Sequence, residues 1–171
     1  MTPDTETARF RAAYETHRDD VWRYLRRRSG DAEDLCTEVF VVAWRRRREL
    51  PAEPLPWLYG VARRVLANHR RGQDRRSALA ARLPVGRAAT DPAELVGVRE
   101  SLSTALAVLS DRDRELVLLI AWEGLRVEEA AEVIGCRRGT AAVRLHRARR
   151  RLREQLAGGP LLPSMTPVEE R

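Results

Sequence analysis

Apolar residues recur at helical spacing along most of this 171-residue chain, and one stretch shows the pattern best. Ala141, Leu145, Ala148, Leu152 and Leu156 follow one another at steps of 4, 3, 4 and 4 residues, which makes a single apolar stripe down a helix. At about 100° per residue, Val143, His146, Arg147, Arg150 and Arg153 fall on the opposite face. Arg144, Arg149 and Arg151 flank that face. Just upstream, Val127 to Ile134 forms a short helical pattern with Ala131 at a close crossing, and Gly135 supplies the residue that a tight turn between two crossing helices needs. The pair reads as a helix-turn-helix whose second helix packs on one side and meets polyanion on the other. A merely solvated face usually mixes charge signs, whereas here the acids Glu128, Glu129 and Glu132 sit on the helix before the turn.

The same periodicity predicts helices elsewhere and no convincing strand. A first helix is expected over about Thr7 to Arg28, with Phe10, Ala13, Tyr14, Val21, Tyr24 and Leu25 as its apolar positions. Ser29-Gly30-Asp31 breaks it, and a second runs from about Asp31 to Glu49, ended by Pro51 to Pro56. A third is expected from Pro56 to about Arg71. Gly72, Pro84, Gly86 and Pro92 then interrupt the pattern, which marks a linker. A fourth helix is expected over Pro92 to Leu109, with Asp91 as N-cap, and a fifth from Ser110 to about Gly124, with Asp113 in a near capping-box position. The proline-bearing tail from Gly158 reads as disordered. The expected architecture is all-α: two small helical domains, 1–76 and 92–157, joined by a flexible linker over 77–91 and followed by a tail over 158–171.

Charge sharpens this picture. The net charge is +7, and all 32 basic residues are arginine. Arginine forks onto guanine or phosphate where lysine acts as a point charge. No segment approaches the roughly 20 apolar residues of a membrane span, and the start of the chain lacks an apolar run, so a cytoplasmic protein is expected. Cys36 and Cys136 lie outside any CxxC pattern and are expected to pack as small hydrophobes. His17, His69 and His146 show no metal-ligand spacing, so neither a metal nor another cofactor is expected.

Two further helices carry candidate chemistry. In the second, Ala32, Leu35, Val39, Val42 and Ala43 make a core stripe, and Cys36, Phe40 and Trp44 run beside it. Asp34 and Glu38 border this wide arc one turn apart. Such an arc suits either a protein partner with basic and apolar surface or a central helix buried on two sides. In the third, Leu58, Val61, Ala62 and Val65 face a core, while Arg63, Arg64, Asn68, Arg70, Arg71 and Arg75 cover the other side. Trp57 and Tyr59 stand at its start. Basic side chains beside aromatics suit a nucleic-acid strand with exposed bases, although Trp57 equally fits a staple into the core.

These residues resemble a known family. Asp31-Ala-Glu-Asp-Leu-Cys-Thr-Glu-Val-Phe-Val-Val-Ala-Trp44 is similar to the polymerase-binding helix in region 2 of the sigma-70 family, in its small extracytoplasmic-function type. Pro56 to Arg71 resembles the helix that meets the −10 element, and Leu109 to Leu152 resembles region 4. The resemblance implies a factor that binds core RNA polymerase and promoter DNA and is not itself an enzyme. It implies Asp34, Glu38, Phe40, Val41 and Trp44 at the polymerase, and Trp57, Arg63, Arg64, Asn68, Arg70 and Arg71 at the −10 element. It implies Thr140, Val143, Arg144, His146, Arg147, Arg149 and Arg150 at the −35 element. Many relatives are held by an anti-sigma protein, so such a partner is a further expectation.

The chain departs from the family at Thr37, Arg64, Asn68 and Ala141-Ala142-Val143, and Arg126 stands where serine or threonine would cap the first helix of the motif. Losing that cap is expected to cost about 1 kcal/mol. Two other functions remain open on the residues alone. One is a stand-alone helix-turn-helix repressor or activator, which would bind a palindrome without polymerase. The other is an enzyme acting on nucleic acid, which the lack of clustered carboxylates or a Cys-His pair disfavours.

Overall fold

The computed structural model describes residues 3–80 and 104–158, and every regular element among them is helical. Helix α1 spans Pro3–Arg26, α2 spans Ala32–Arg45, and a 3₁₀ turn follows at Arg47–Glu49. Helix α3 spans Leu55–Ala80, α4 spans Asp111–Ala121, α5 spans Val127–Ile134 and α6 spans Arg138–Gly158. Residues 104–107 are also helical.

The first three helices form a bundle. Val21, Tyr24 and Leu25 of α1 meet Leu35, Val39 and Ala43 of α2 and Leu58, Val61, Ala62 and Val65 of α3, all buried. The Tyr24 and Tyr59 rings pack with centroids 5.1 Å apart. Asp31, just before α2, makes no side-chain cap. Its carboxylate reaches across to α3 instead, 2.9 Å from His69 Nε2 and 3.3 Å from Gln73 Nε2.

The last three helices form the second unit. Ser110 caps α4, its hydroxyl accepting from the Asp113 N–H at 3.2 Å, as the near capping box predicts. Gly135 ends α5 with φ 72°, in the left-handed region, and Cys136 N–H donates back to Ala131 O at 2.9 Å. The turn then delivers α6, whose Ala141, Leu145 and Ala148 are buried. Arg126 does not leave α5 uncapped. The Glu129 carboxylate accepts from the Arg126 N–H at 2.6 Å and from its guanidinium at 2.9 Å. That side-chain bond, with the backbone one, holds Glu129 below the usual carboxylate range.

Several boundaries differ from expectation. Helix α1 starts at Pro3, ahead of Thr7. Helix α2 stops at Arg45, where Arg46 leaves helical geometry at φ −106° and ψ 19°, and the chain tightens into the Arg47–Glu49 3₁₀ turn that brings Leu50 into the core ahead of Pro51. Helix α3 passes through Gly72 and reaches Ala80. An interior glycine costs a helix only about 1 kcal/mol, and the ties from Asp31 to His69 and Gln73 hold the turn that contains it. The start of the expected linker, 77–80, is therefore helical, and its remainder lies outside the described residues. So do most of the expected fourth helix and the tail beyond Gly158.

The two units do not stand apart. Helix α3 packs against α5, and buried residues of both units form one continuous apolar cluster.

Candidate nucleic-acid interface

Three surfaces gather the residues singled out in the sequence. The first is the outer face of α6. With Ala141, Leu145 and Ala148 turned inward, Thr140, Val143, His146, Arg147, Arg149 and Arg150 are all exposed. Val143 is 52 % exposed, so it projects outward and does not pack on protein. A shallow cavity of about 590 Å³ opens beside this face, lined by Asp113, Gly139, Thr140, Val143, Arg144 and Arg147 among others. Arg144 is the exception to a free basic face: its Nη1 lies 2.9 Å from Asp113 Oδ1 on α4. Asp113 also accepts from the Ser110 hydroxyl at 2.8 Å. The helix cap thus pins one arginine of this outer face, a link the sequence pattern did not reveal. Arg150 pairs loosely with Glu154 at 3.5 Å, both largely exposed.

The second surface is the basic side of α3. Arg64, Asn68, Arg70 and Arg71 are exposed and Arg63 is partly so. Together these five line a cleft of about 570 Å³. Its opposite wall is α4, which contributes Asp111, Arg112 and Glu115. Trp57 is partly buried against the bundle core, with Arg46 over its ring at 5.5 Å, so it staples α3 more than it offers a free ring.

The third surface lies on α2. Asp34, Glu38, Val41 and Trp44 are exposed, Val41 by 44 % and Trp44 by 41 %. Phe40 is not available there. It is buried, with its ring 4.8 Å from Tyr14 and 6.4 Å from Phe10. The wide apolar arc therefore divides: Cys36 and Phe40 close the bundle, and Val41 and Trp44 remain outside. Burial pushes the Cys36 thiol up, in keeping with a packing role. Tyr14, 39 % exposed, and Phe10, 5.1 Å from Trp44, extend the outer patch. Neither was picked out as a site residue, although their i, i+4 spacing on α1 already places them on one face.

The family model for Sigma-70 region 2 matches residues 13–76, and that for Sigma-70, region 4 matches residues 99–152. The chain is 31 % identical over 157 residues to the extracytoplasmic-function RNA polymerase sigma factor SigL of Mycobacterium tuberculosis, covering 86 % of this chain and 89 % of that protein. It is 34 % identical over 155 residues to the corresponding factor SigE of Mycolicibacterium smegmatis, covering 82 % of this chain and 59 % of that protein. Among solved structures it superposes with a TM-score of 0.65 and 25 % identity on the sigma factor RpoE of Bartonella quintana, solved with the anti-sigma factor NepR, over 89 % of this chain and 99 % of that one. The arginine faces of α3 and α6 thus lie within the two matched regions, and the chain belongs to the sigma-70 family of RNA polymerase sigma factors, in its extracytoplasmic-function type.

Proposed function

We infer that this sigma factor divides promoter selection between its two units. Helix α6 enters the major groove of the −35 element, and the basic side of α3 takes the −10 element as its strands separate. A duplex is read from the major groove because each base pair shows a distinct donor and acceptor pattern there. His146 and Arg147 occupy the middle of the exposed face and read bases. Arg149 and Arg151 flank it and take phosphates, as Arg144 does in part, Arg150 and Thr140 add to the DNA-facing surface, and Val143 offers an apolar contact to a thymine methyl. At α3, Arg63, Arg64, Arg70 and Arg71 neutralise phosphate, and Asn68 lies among them with amide groups for a base edge. Asp34, Glu38, Val41 and Trp44 form the acidic and apolar surface that docks on core polymerase, and the buried Phe40 supports it from beneath.

The chain performs no covalent step in this scheme; the polymerase supplies the chemistry, in the cytoplasm. The structural neighbour RpoE was solved with an anti-sigma factor, which supports a similar inhibitory partner here. The observation that carries the reading is the pair of arginine-rich faces on two separate helical units, each matched to a different sigma region. The purified chain mixed with core RNA polymerase tests it: co-elution as one complex is expected. Free chain and free polymerase eluting apart, with the chain binding a palindromic duplex alone, would turn the reading toward a stand-alone repressor.

A further inference from the structure

The cleft beside the outer face of α6 holds one acid among its arginines. Arg144, Arg147 and Arg151 line it, and Asp113 of α4 stands opposite. Thr140, Arg144, Arg147 and Arg151 follow one another at steps of 4, 3 and 4 residues, so they form one row along the helix. Both carboxylate oxygens of Asp113 are engaged. Its Oδ2 accepts from the Ser110 hydroxyl at 2.8 Å, and its Oδ1 lies 2.9 Å from Arg144 Nη1. The Ser110 hydroxyl in turn accepts from the Asp113 N–H at 3.2 Å. The Asp113 side chain is only 16 % exposed, whereas Arg144 keeps 35 %. Beyond the first turn of α6, Arg144 alone among the described arginines pairs with another helix. Arg150 pairs within α6, and Arg138, at the start, pairs with Glu128 of α5.

We propose that Asp113 is a positioning residue for DNA binding: it holds the Arg144 guanidinium at a subsite, between α4 and α6, for one backbone phosphate of the −35 element. The proposal rests on the reading of α6 as the −35 face. Three observations carry it. First, the acid is fixed rather than mobile. The Ser110 cap of α4 holds its backbone N–H and one carboxylate oxygen, and the second oxygen is aimed at Arg144. Second, a guanidinium carries five N–H donors in a rigid fork. Asp113 occupies the Nη1 end, and the half-buried side chain keeps further donors for a second anion. Third, the three arginines of the cleft outnumber its one aspartate by two charges, so a phosphodiester with a single negative charge still meets a net attraction. An arginine free in solvent loses rotamer freedom when it binds, and that cost falls on affinity. Arg144 is ordered beforehand. The sign of the effect is then opposite to that of simple repulsion. Deleting an acid from a DNA-facing surface strengthens binding where the acid only repels phosphate. Deleting Asp113 weakens binding, because Arg144 loses its orientation.

The test is a double-mutant cycle in the full-length chain, read by fluorescence anisotropy of a short labelled duplex of random sequence over about 50 to 200 mM salt. Asp113→Ala keeps the backbone N–H that Ser110 caps and should weaken binding about fivefold, the factor for one side chain that must be ordered on binding. Arg144→Ala should weaken it at least as much, while lowering the salt slope by less than Arg149→Ala does. In the Arg144→Ala background, Asp113→Ala should instead strengthen binding, because a carboxylate without its arginine only repels the duplex. If Asp113 merely holds α4 in shape, affinity falls equally in both backgrounds. If it merely repels phosphate, affinity rises in both. Either result overturns the proposal. Asp113→Asn removes the charge and keeps an acceptor of the same shape, so it guards against an alanine variant that fails to fold. A smaller loss in the same direction is expected of it, and a gain overturns the proposal as well. Loss in Arg149→Ala with none in Arg144→Ala shows that α6 meets DNA without this subsite. Loss in neither shows that α6 is not the DNA face, which separates failure of that reading from failure of Asp113 to position Arg144.

Discussion

On α6, neighbouring arginines stand in different surroundings, and the proposed function gives them different tasks. Arg147 is exposed near the middle of the outward face, and Arg149 stands at its edge. Arg147→Ala should cost about 1 to 3 kcal/mol and relax preference at one −35 position. Arg149→Ala should weaken all promoters alike and lower the salt slope by about one unit. Arg144 is already partly neutralised by Asp113, so Arg144→Ala should reduce that slope by less than Arg149→Ala does. Salt titrations of the polymerase-bound factor over a promoter library check all three. An unchanged −35 preference in Arg147→Ala would make Arg147 a backbone clamp. Glu129 carries a pH dependence of defined sign. Its folded pKa is depressed by the Arg126 bonds, so its contribution is present above the ordinary carboxylate value and is lost as pH falls below it through the depressed one. Glu129→Gln should flatten the acid side of the stability-against-pH curve, read by urea unfolding across the acidic range; a curve unchanged from the parent would contradict this.

At the scale of elements, the turn at Gly135 and the surface of α2 make separate claims. Gly135 has φ 72°, and a Cβ there would meet nothing within 4 Å, so Gly135→Ala carries a backbone cost alone. That cost is about 1 to 2 kcal/mol, visible as a lower urea midpoint with an unchanged slope. Asp34→Arg or Glu38→Arg should weaken core-polymerase binding while moving stability by about 0.5 kcal/mol or less, since both are exposed. Equal polymerase affinity in wild type and both variants would return α2 to a plain bundle role. Periodicity made most of these elements legible: the stripe of α6 and the stop at Gly135 lie in the sequence as spacing and residue type. It did not reveal which side of a wide arc the rest of the chain covers. Phe40 and Trp44 are equivalent by spacing, yet Phe10 and Tyr14 both pack on the buried first, whereas the second, with the Phe10 ring at 5.1 Å, stays 41 % exposed. Nor did it carry α3 past Gly72, because one poor helix former is outweighed by long-range ties invisible to local pattern.

For the molecule as a whole, the sequence implies two small helical units joined by a flexible linker, and the structure adds a contact between them through Arg28, Glu115 and Glu123. Charged pairs so distant in sequence leave no periodic trace, so this feature was unreadable beforehand. The division of labour between the units remains the centre of the account, and run-off transcription over a randomised promoter library tests it most directly. Core RNA polymerase plus this chain should yield transcripts that core alone does not, from templates enriched in two separate motifs at a fixed spacing upstream of the start. No gain over core polymerase, or enrichment of a single palindromic motif that the chain binds without polymerase, would contradict it.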